Sequence, residues 1–173
     1  MTNLEPQRFF QQHPLAIQSA PGGELLTLAP LDLQALSDPR QAMRQALLSP
    51  EDFPALNQAI VQGDSIAIAV DPNLPDLIAC VIGALDAIGS ETAGSIHVLL
   101  GEDGTTAMLE RLTEAIGDRA TVLTHDPDNQ EALGYLAASE AADPIYLNRL
   151  LLEADFVLPL ACCAIVGLFG PDR

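Results

Sequence analysis

The alternation of apolar and polar positions becomes regular from about residue 61. Ser65-Ile-Ala-Ile-Ala-Val70 is a continuous apolar run, which is typical of a strand buried on both faces. Residues 75–88 carry apolar side chains at helical spacing and end at Gly89. Further strand-like and helical segments are predicted at residues 95–100, 105–116, 120–124, 126–133, 144–147, 148–154 and 155–160.

Strands that alternate with helices favour right-handed crossovers and a parallel sheet. We therefore predict an α/β fold, a three-layer α/β/α domain with a mainly parallel sheet. A small irregular segment with a β-hairpin precedes it, with predicted strands at 15–18 and 24–28, a helix capped by Asp38, and a short helix over 52–61. The prediction is one domain over residues 1–173, with an irregular part at 1–60 and the α/β core at 61–173.

Charge excludes several classes of function. The formal net charge is −17, and none of the basic residues is Lys. Such an acidic chain repels nucleic acid and anionic lipid, so we expect neither as a partner. No apolar run is long enough to span a membrane and the start of the chain does not resemble a signal peptide, so we expect a cytoplasmic protein. Without Lys, a Schiff base or a P-loop is excluded.

The cysteine pattern predicts neither a disulfide framework nor a metal site. Cys80 lies in an apolar helical pattern, and we expect it in the core. Cys162 and Cys163 are adjacent, which is a poor spacing for zinc, and no Cys-x-x-Cys occurs. We therefore predict no metal site in this chain.

The loops that follow the predicted strands concentrate the polar residues. In parallel α/β sheets, ligands bind where strands end and helices begin. An acidic set with one His suits a cation or a hydroxyl-bearing ligand, although carboxylates in such loops also cap helices. Asp71, Asp103 and His125 are weak catalytic candidates. The predicted ligand-binding residues are Asp71, Asn73, Gly101, Glu102, Asp103, His125 and Asp126.

Three stretches resemble the N-terminal domain of the lactate racemase family, the nickel-pincer-nucleotide-dependent 2-hydroxyacid racemases and epimerases. Residues 62–71 are similar to the Gly-Asp strand of that family, which ends in Asp. Residues 124–126 resemble the His-Asp after its third strand, and residues 143–155 resemble its strand–Asn–helix–Glu-Ala-Asp segment. The similarity extends from about Glu24 to Leu160 and implies an α/β fold.

The chain departs from the family where the resemblance would place chemistry. Leu74 stands at the position of an Arg that contacts the substrate carboxylate. Asp103 stands at a proton-transferring His and Gly104 at the following Arg. Residues 161–170 keep little of the family's next segment, which supplies a second His and the Lys that anchors the cofactor. We therefore expect no nickel-pincer nucleotide in this chain.

These departures leave three classes of function open. The first is a divergent scaffold that binds a small polar ligand or a partner protein and has no racemase activity alone. The second is a 2-hydroxyacid racemase or epimerase domain, an isomerase, whose active site a C-terminal domain completes; the ending just past an apolar strand favours this class. The third is an unrelated acid–base enzyme that uses Asp71, Asp103 and His125.

Overall fold

In the computed structural model, residues 36–89 and 94–162 are described in full, together with the backbone of two short N-terminal strands. The chain divides into two compact units, Met1–Ala35 and Leu36–Arg173. The first unit contains an antiparallel pair, β1 (Gln7–Phe10) and β2 (His13–Leu15). Of the strands predicted at 15–18 and 24–28, only Leu15 lies within the described residues.

The second unit contains the regular elements of the fold. In chain order they are α1 (Pro39–Leu48), α2 (Leu56–Ala59), β3 (Ser65–Val70), α3 (Leu77–Ile88), β4 (Ser95–Leu100), α4 (Thr106–Ile116), β5 (Thr121–Thr124), β6 (Leu133–Ala138), β7 (Pro144–Asn148), α5 (Arg149–Glu153) and β8 (Phe156–Leu160). The predicted sequence of strands and helices is confirmed over most of this unit. α1, which the sequence grouped with the irregular part, packs on α3 in this unit.

Four parallel strands form the central sheet, in the order β5-β4-β3-β8. Ile68 lies opposite Val98 on one side and Leu158 on the other. The predicted parallel α/β sheet is therefore confirmed. All four strands end at the same edge, which we call the strand-end edge; the opposite edge is the strand-start edge.

The hydrophobic core lies between one face of the sheet and the helices α3 and α4. Alternate residues of β3 point to this face, and Ile66 and Ile68 are completely buried. Val81 of α3 and Leu112 of α4 are equally buried against them. α3 ends where Gly89 adopts a positive φ of 79°, as its position after the apolar stripe predicts.

The connection from β5 to β8 crosses the opposite face, because the order of the strands reverses there and crossovers are right-handed. This connection contains β6 and β7, which pair antiparallel as a separate two-stranded sheet, and α5, which packs on β3. The strand expected at 144–147 is therefore present, but it does not belong to the parallel sheet. β6 was not predicted, because Leu-Gly-Tyr-Leu-Ala-Ala lacks alternation and its strand form depends on pairing with β7.

Two local predictions need correction. The helix expected over 52–61 is only the four-residue α2, because Asp52 has a φ of +54° and Pro54 follows Phe53. The helical turn expected over 126–133 shortens to a 3-10 turn at Gln130–Ala132. By contrast, α1 begins as predicted, with the Asp38 side chain accepting a hydrogen bond from the Gln41 backbone N–H at 3.0 Å.

Within the described part of the chain, no helix is long and apolar enough to cross a membrane.

Candidate functional site

Three of the predicted site residues lie side by side at the strand-end edge. The Asp71 backbone N–H donates to the Leu160 carbonyl at 2.9 Å, and the Gly101 N–H donates to the Val70 carbonyl at 3.0 Å. The His125 N–H donates to the Leu100 carbonyl at 2.7 Å. These bonds extend the parallel ladder by one residue, so Asp71, Gly101 and His125 stand about 4.8 Å apart in a row.

The order of the strands places a topological switch point between β4 and β5. The loops after β3 and β4 lead to α3 and α4 on one face, whereas the chain after β5 leads to β6, β7 and α5 on the other. In open α/β sheets, ligands bind where neighbouring loops diverge in this way. The residues at this point are the Gly101–Gly104 turn and His125.

His125 is held by Asn148, which sequence reasoning did not place in the site. Asn148 is only 6% exposed and is the buried polar residue among those described. Its side-chain Nδ2 lies 3.3 Å from His125 Nδ1, and its Oδ1 accepts a hydrogen bond from the Leu150 N–H at 3.0 Å. Asn148 therefore both caps α5 and fixes the imidazole. Because Asn148 begins the helix predicted over 148–154, the sequence could indicate its capping role but not its contact with His125.

Two of the predicted carboxylates bind within their own loops. Asp71 Oδ1 accepts from the Asn73 backbone N–H at 2.8 Å and from Asn73 Nδ2 at 3.3 Å. Asp126 Oδ1 accepts from the Asp128 N–H at 3.0 Å. Asp126 therefore closes a turn instead of pairing with His125. In both carboxylates, Oδ2 makes no hydrogen bond with a described residue.

Glu102 and Asp103 lie on the turn that begins at Gly101. Both side chains are exposed, and the turn is closed by the Gly104 N–H donating to the Gly101 carbonyl at 2.9 Å. Neither carboxylate makes a hydrogen bond with any residue in the described ranges 36–89 and 94–162. Both carboxylates are therefore accessible to a ligand at the strand-end edge.

The two residues at positions that the family resemblance assigns to Arg, Leu74 and Gly104, are packed against apolar side chains. Leu74 is half-buried and contacts the hydrophobic core. A Cβ on Gly104 would lie 2.6 Å from Cγ of Leu100, which is itself completely buried. A longer side chain at residue 104 would have to displace Leu100. This edge of the sheet is therefore acidic, and neither position supplies a cation that could hold a carboxylate.

The β6–β7 hairpin, which contains Asn148, also carries an aromatic pair. Tyr135 lies opposite Tyr146 in the register, and their rings meet edge to face with centroids 6.0 Å apart. Tyr146 is two residues before Asn148 on the same strand, so both side chains point to the same face of the hairpin. Both rings are more than half exposed. No pattern in the sequence predicted this pair, because residues 133–138 were not predicted to form a strand.

The strand-start edge carries charges of a different kind. Asp155 Oδ2 accepts from the Ser65 N–H at 2.9 Å and from the Ser65 hydroxyl at 2.8 Å, which ties β8 to β3. These bonds from the Ser65 backbone and hydroxyl lower the pKa of Asp155. The Asp of the Glu-Ala-Asp stretch, which carried much of the family resemblance, is thus a structural link at the edge remote from His125.

Asp86 forms a second link at the strand-start edge. Its carboxylate binds Arg40 of α1 at 2.6 Å and Arg119, next to β5, at 2.8 Å. Burial raises the pKa of Asp86, but the hydrogen bonds from the two guanidinium groups outweigh burial and lower it overall.

The described part of the chain brings together no cluster of three potential metal ligands. Cys80 is buried as predicted, and its pKa is raised by burial and then by Asp76. Cys162 is exposed, and Cys163 lies outside the described residues.

Comparisons with known proteins agree with this fold. A family model for the lactate racemase N-terminal domain matches residues 10–166. The solved lactate racemase apoprotein from Thermoanaerobacterium thermosaccharolyticum is similar with a TM-score of 0.55 and 18% identity, over 70% of this chain and 31% of that one. The match thus spans less than a third of the length of that racemase, and at 18% identity it is evidence for the fold alone. No curated protein matches. The family match spans the stretches that resembled lactate racemases, and the chain belongs to the lactate racemase N-terminal domain family.

Proposed function

We propose that this chain is a divergent lactate-racemase-like domain that binds a small polar ligand at its strand-end edge, as part of a larger or two-component protein, and does not racemise on its own. The row formed by Asp71, Gly101 and His125 at the strand-end edge, which includes the switch point between β4 and β5, carries this proposal. A partner or a further domain would cover the open side of that edge.

The residues of this chain do not fit the cofactor of the family. The nickel-pincer nucleotide is expected to require an anchoring Lys, and the chain has none. Nδ1 of His125 is engaged by Asn148, and no three metal-ligand residues converge in the described ranges. Racemisation also requires two bases on opposite faces of a carbon, which His125 and an exposed Asp103 on neighbouring loops do not provide.

The chemistry of the edge favours a neutral, hydroxyl-bearing ligand over a 2-hydroxy acid. Glu102 and Asp103 can accept hydrogen bonds from hydroxyl groups, whereas a carboxylate would meet only like charge. Leu74 and Gly104, where the resemblance places Arg, contribute packing and no positive charge. The exposed Tyr135–Tyr146 pair on the β6–β7 hairpin is an aromatic surface of the kind that packs against the C–H face of a sugar-like molecule.

A thermal-shift experiment tests this proposal. Neutral polyols and sugars, such as D-mannitol and D-glucose, should raise the melting temperature of the purified chain more than L-lactate does. Asp103→Asn should reduce the increase, whereas Asp118→Asn, the same charge change at the strand-start edge, should retain it in full. Because polyols also stabilise proteins nonspecifically, the difference between these two variants is the decisive quantity. Equal responses of both variants would refute the site.

The second candidate is a racemase or epimerase domain whose active site another polypeptide completes. The observation in its favour is that the match covers only 31% of the solved racemase. We expect lactate to keep its configuration when incubated with the purified chain, as measured by chiral chromatography. Racemisation that appears only when a co-purifying polypeptide is added would favour this second candidate.

A further inference from the structure

The hydrogen bonds of Asn148 determine which of its side-chain atoms faces His125. Its Oδ1 accepts from the Leu150 N–H at the first turn of α5, and only the amide oxygen can accept this bond. The amide NH2 is therefore directed at His125 Nδ1, 3.3 Å away. Because Asn148 is only 6% exposed, water does not compete freely for either atom.

This arrangement selects one tautomer of the imidazole. A donor that faces Nδ1 requires Nδ1 to be the acceptor, and a neutral imidazole then carries its proton on Nε2. Nε2 makes no hydrogen bond with any residue in the described parts of the chain. His125 therefore offers an N–H without a partner among the described residues, on the side of the ring away from Asn148.

We propose that Asn148 is a positioning residue, which holds His125 in the Nε2–H tautomer so that His125 donates a hydrogen bond to an oxygen of the ligand and does not act as a base. The ligand in this inference is the one of the proposed function. The tautomer of His125, however, is a property of the protein without ligand. Of the two roles predicted for His125 from the sequence, it favours ligand binding over catalysis. The oxygen it recognises belongs to a hydroxyl or carbonyl group of a neutral ligand.

Two variants of Asn148 separate this role from the capping role. Asp at residue 148 can cap α5 as well as Asn does, but it presents only acceptors to His125. Asn148→Asp should therefore retain the fold while moving the proton to Nδ1. Asn148→Ser also keeps a capping oxygen but is too short to reach the ring, so it should leave a mixture of tautomers.

Long-range ¹H–¹⁵N NMR spectra of the imidazole rings provide the test. We expect a pyridine-type Nδ1 and a pyrrole-type Nε2 for His125 in the wild type, and a protonated Nδ1 in Asn148→Asp. His97, which lies half-buried in the middle of β4, serves as the internal control and should not change. A protonated Nδ1 in the wild type, or the same His125 spectrum in Asn148→Asp, would overturn the proposal. Circular dichroism checks that both variants are folded.

Ligand response distinguishes failure of this inference from failure of the proposed function. With D-mannitol and D-glucose as probes, Asn148→Asp should weaken binding about tenfold relative to the wild type, which corresponds to the loss of one hydrogen bond. If the tautomer changes as expected but neither probe distinguishes Asp103→Asn from Asp118→Asn, the ligand site is wrong and the positioning role stands. If the probes bind but Asn148→Asp binds equally well, the donor role is wrong and the site stands.

Discussion

The two edges of the central sheet use their charges in opposite ways. At the strand-start edge, Asp155 and Asp86 are bound by Ser65, Arg40 and Arg119, and both carboxyl groups have a lowered pKa. At the strand-end edge, Glu102 and Asp103 are exposed and make no hydrogen bond within the described ranges. The charged groups of one edge therefore join elements of the fold, whereas those of the other edge remain exposed.

The comparison shows that a motif specific to a family need not contain its chemistry. The Glu-Ala-Asp stretch contributed strongly to the resemblance, yet its Asp155 ties β8 to β3. Leu74 and Gly104, the two positions that the resemblance assigns to Arg, are instead packed against the core and against Leu100. The chain retains the scaffold of the family.

The largest effect is expected from a change in the core that supports both edges. Leu112 is completely buried between α4 and the sheet, so Leu112→Ala leaves a cavity. We expect the free energy of unfolding to fall by about 2–5 kcal/mol. Urea denaturation measures it, with Leu36→Ala, at an exposed position, as the control. A loss similar to that of the control would mean that the core lies elsewhere.

A smaller effect is expected at the strand-start edge. Asp86→Ala removes the carboxylate that holds two Arg side chains, and Asp86 is only 20% exposed. We expect a loss of about 1–2 kcal/mol in the free energy of unfolding, measured in urea at neutral pH. Asp118→Ala, which removes an equal charge nearby, should change stability much less. Equal losses would indicate that net charge, and not the link, is what matters.

The pH dependence of stability should identify the second link. Because Asp155 has a lowered pKa, its contribution is present above the pKa of the unfolded chain and is lost as the pH falls through the folded value. The difference in unfolding free energy between the wild type and Asp155→Asn should be constant at neutral pH and shrink below about pH 4. A difference that persists unchanged at lower pH would contradict the charged link.

The smallest effect on stability is expected at the strand-end edge. Glu102→Gln and Asp103→Asn, alone or together, should change the free energy of unfolding by less than about 0.5 kcal/mol, because both side chains are exposed. The same variants should respond less than Asp118→Asn to neutral polyols in the thermal-shift assay. A large loss of stability would place these residues with the structural charges and remove the contrast between the edges.

Local signals were sufficient for much of the fold and part of the candidate site. The Asp38 cap, the stop at Gly89 and the apolar run of β3 depend on neighbours in sequence, and these elements formed where predicted. β6 depends on pairing with β7, so its own residues did not reveal it. Asn148 was recognised at a helix start, but its contact with His125 joins residues 23 apart in sequence.

By itself, the sequence determined the class of the fold, the order of its core strands and helices, and the acidic loops at the strand ends, because periodicity and turn residues act over short distances. Only the tertiary structure decided which polar groups form hydrogen bonds or ion pairs with distant residues. It assigned Asp155 and Asp86 to the strand-start edge, buried Asn148 against His125 and set Tyr135 beside Tyr146. These contacts join residues distant in the chain, and their energy depends on burial and geometry that no local pattern encodes.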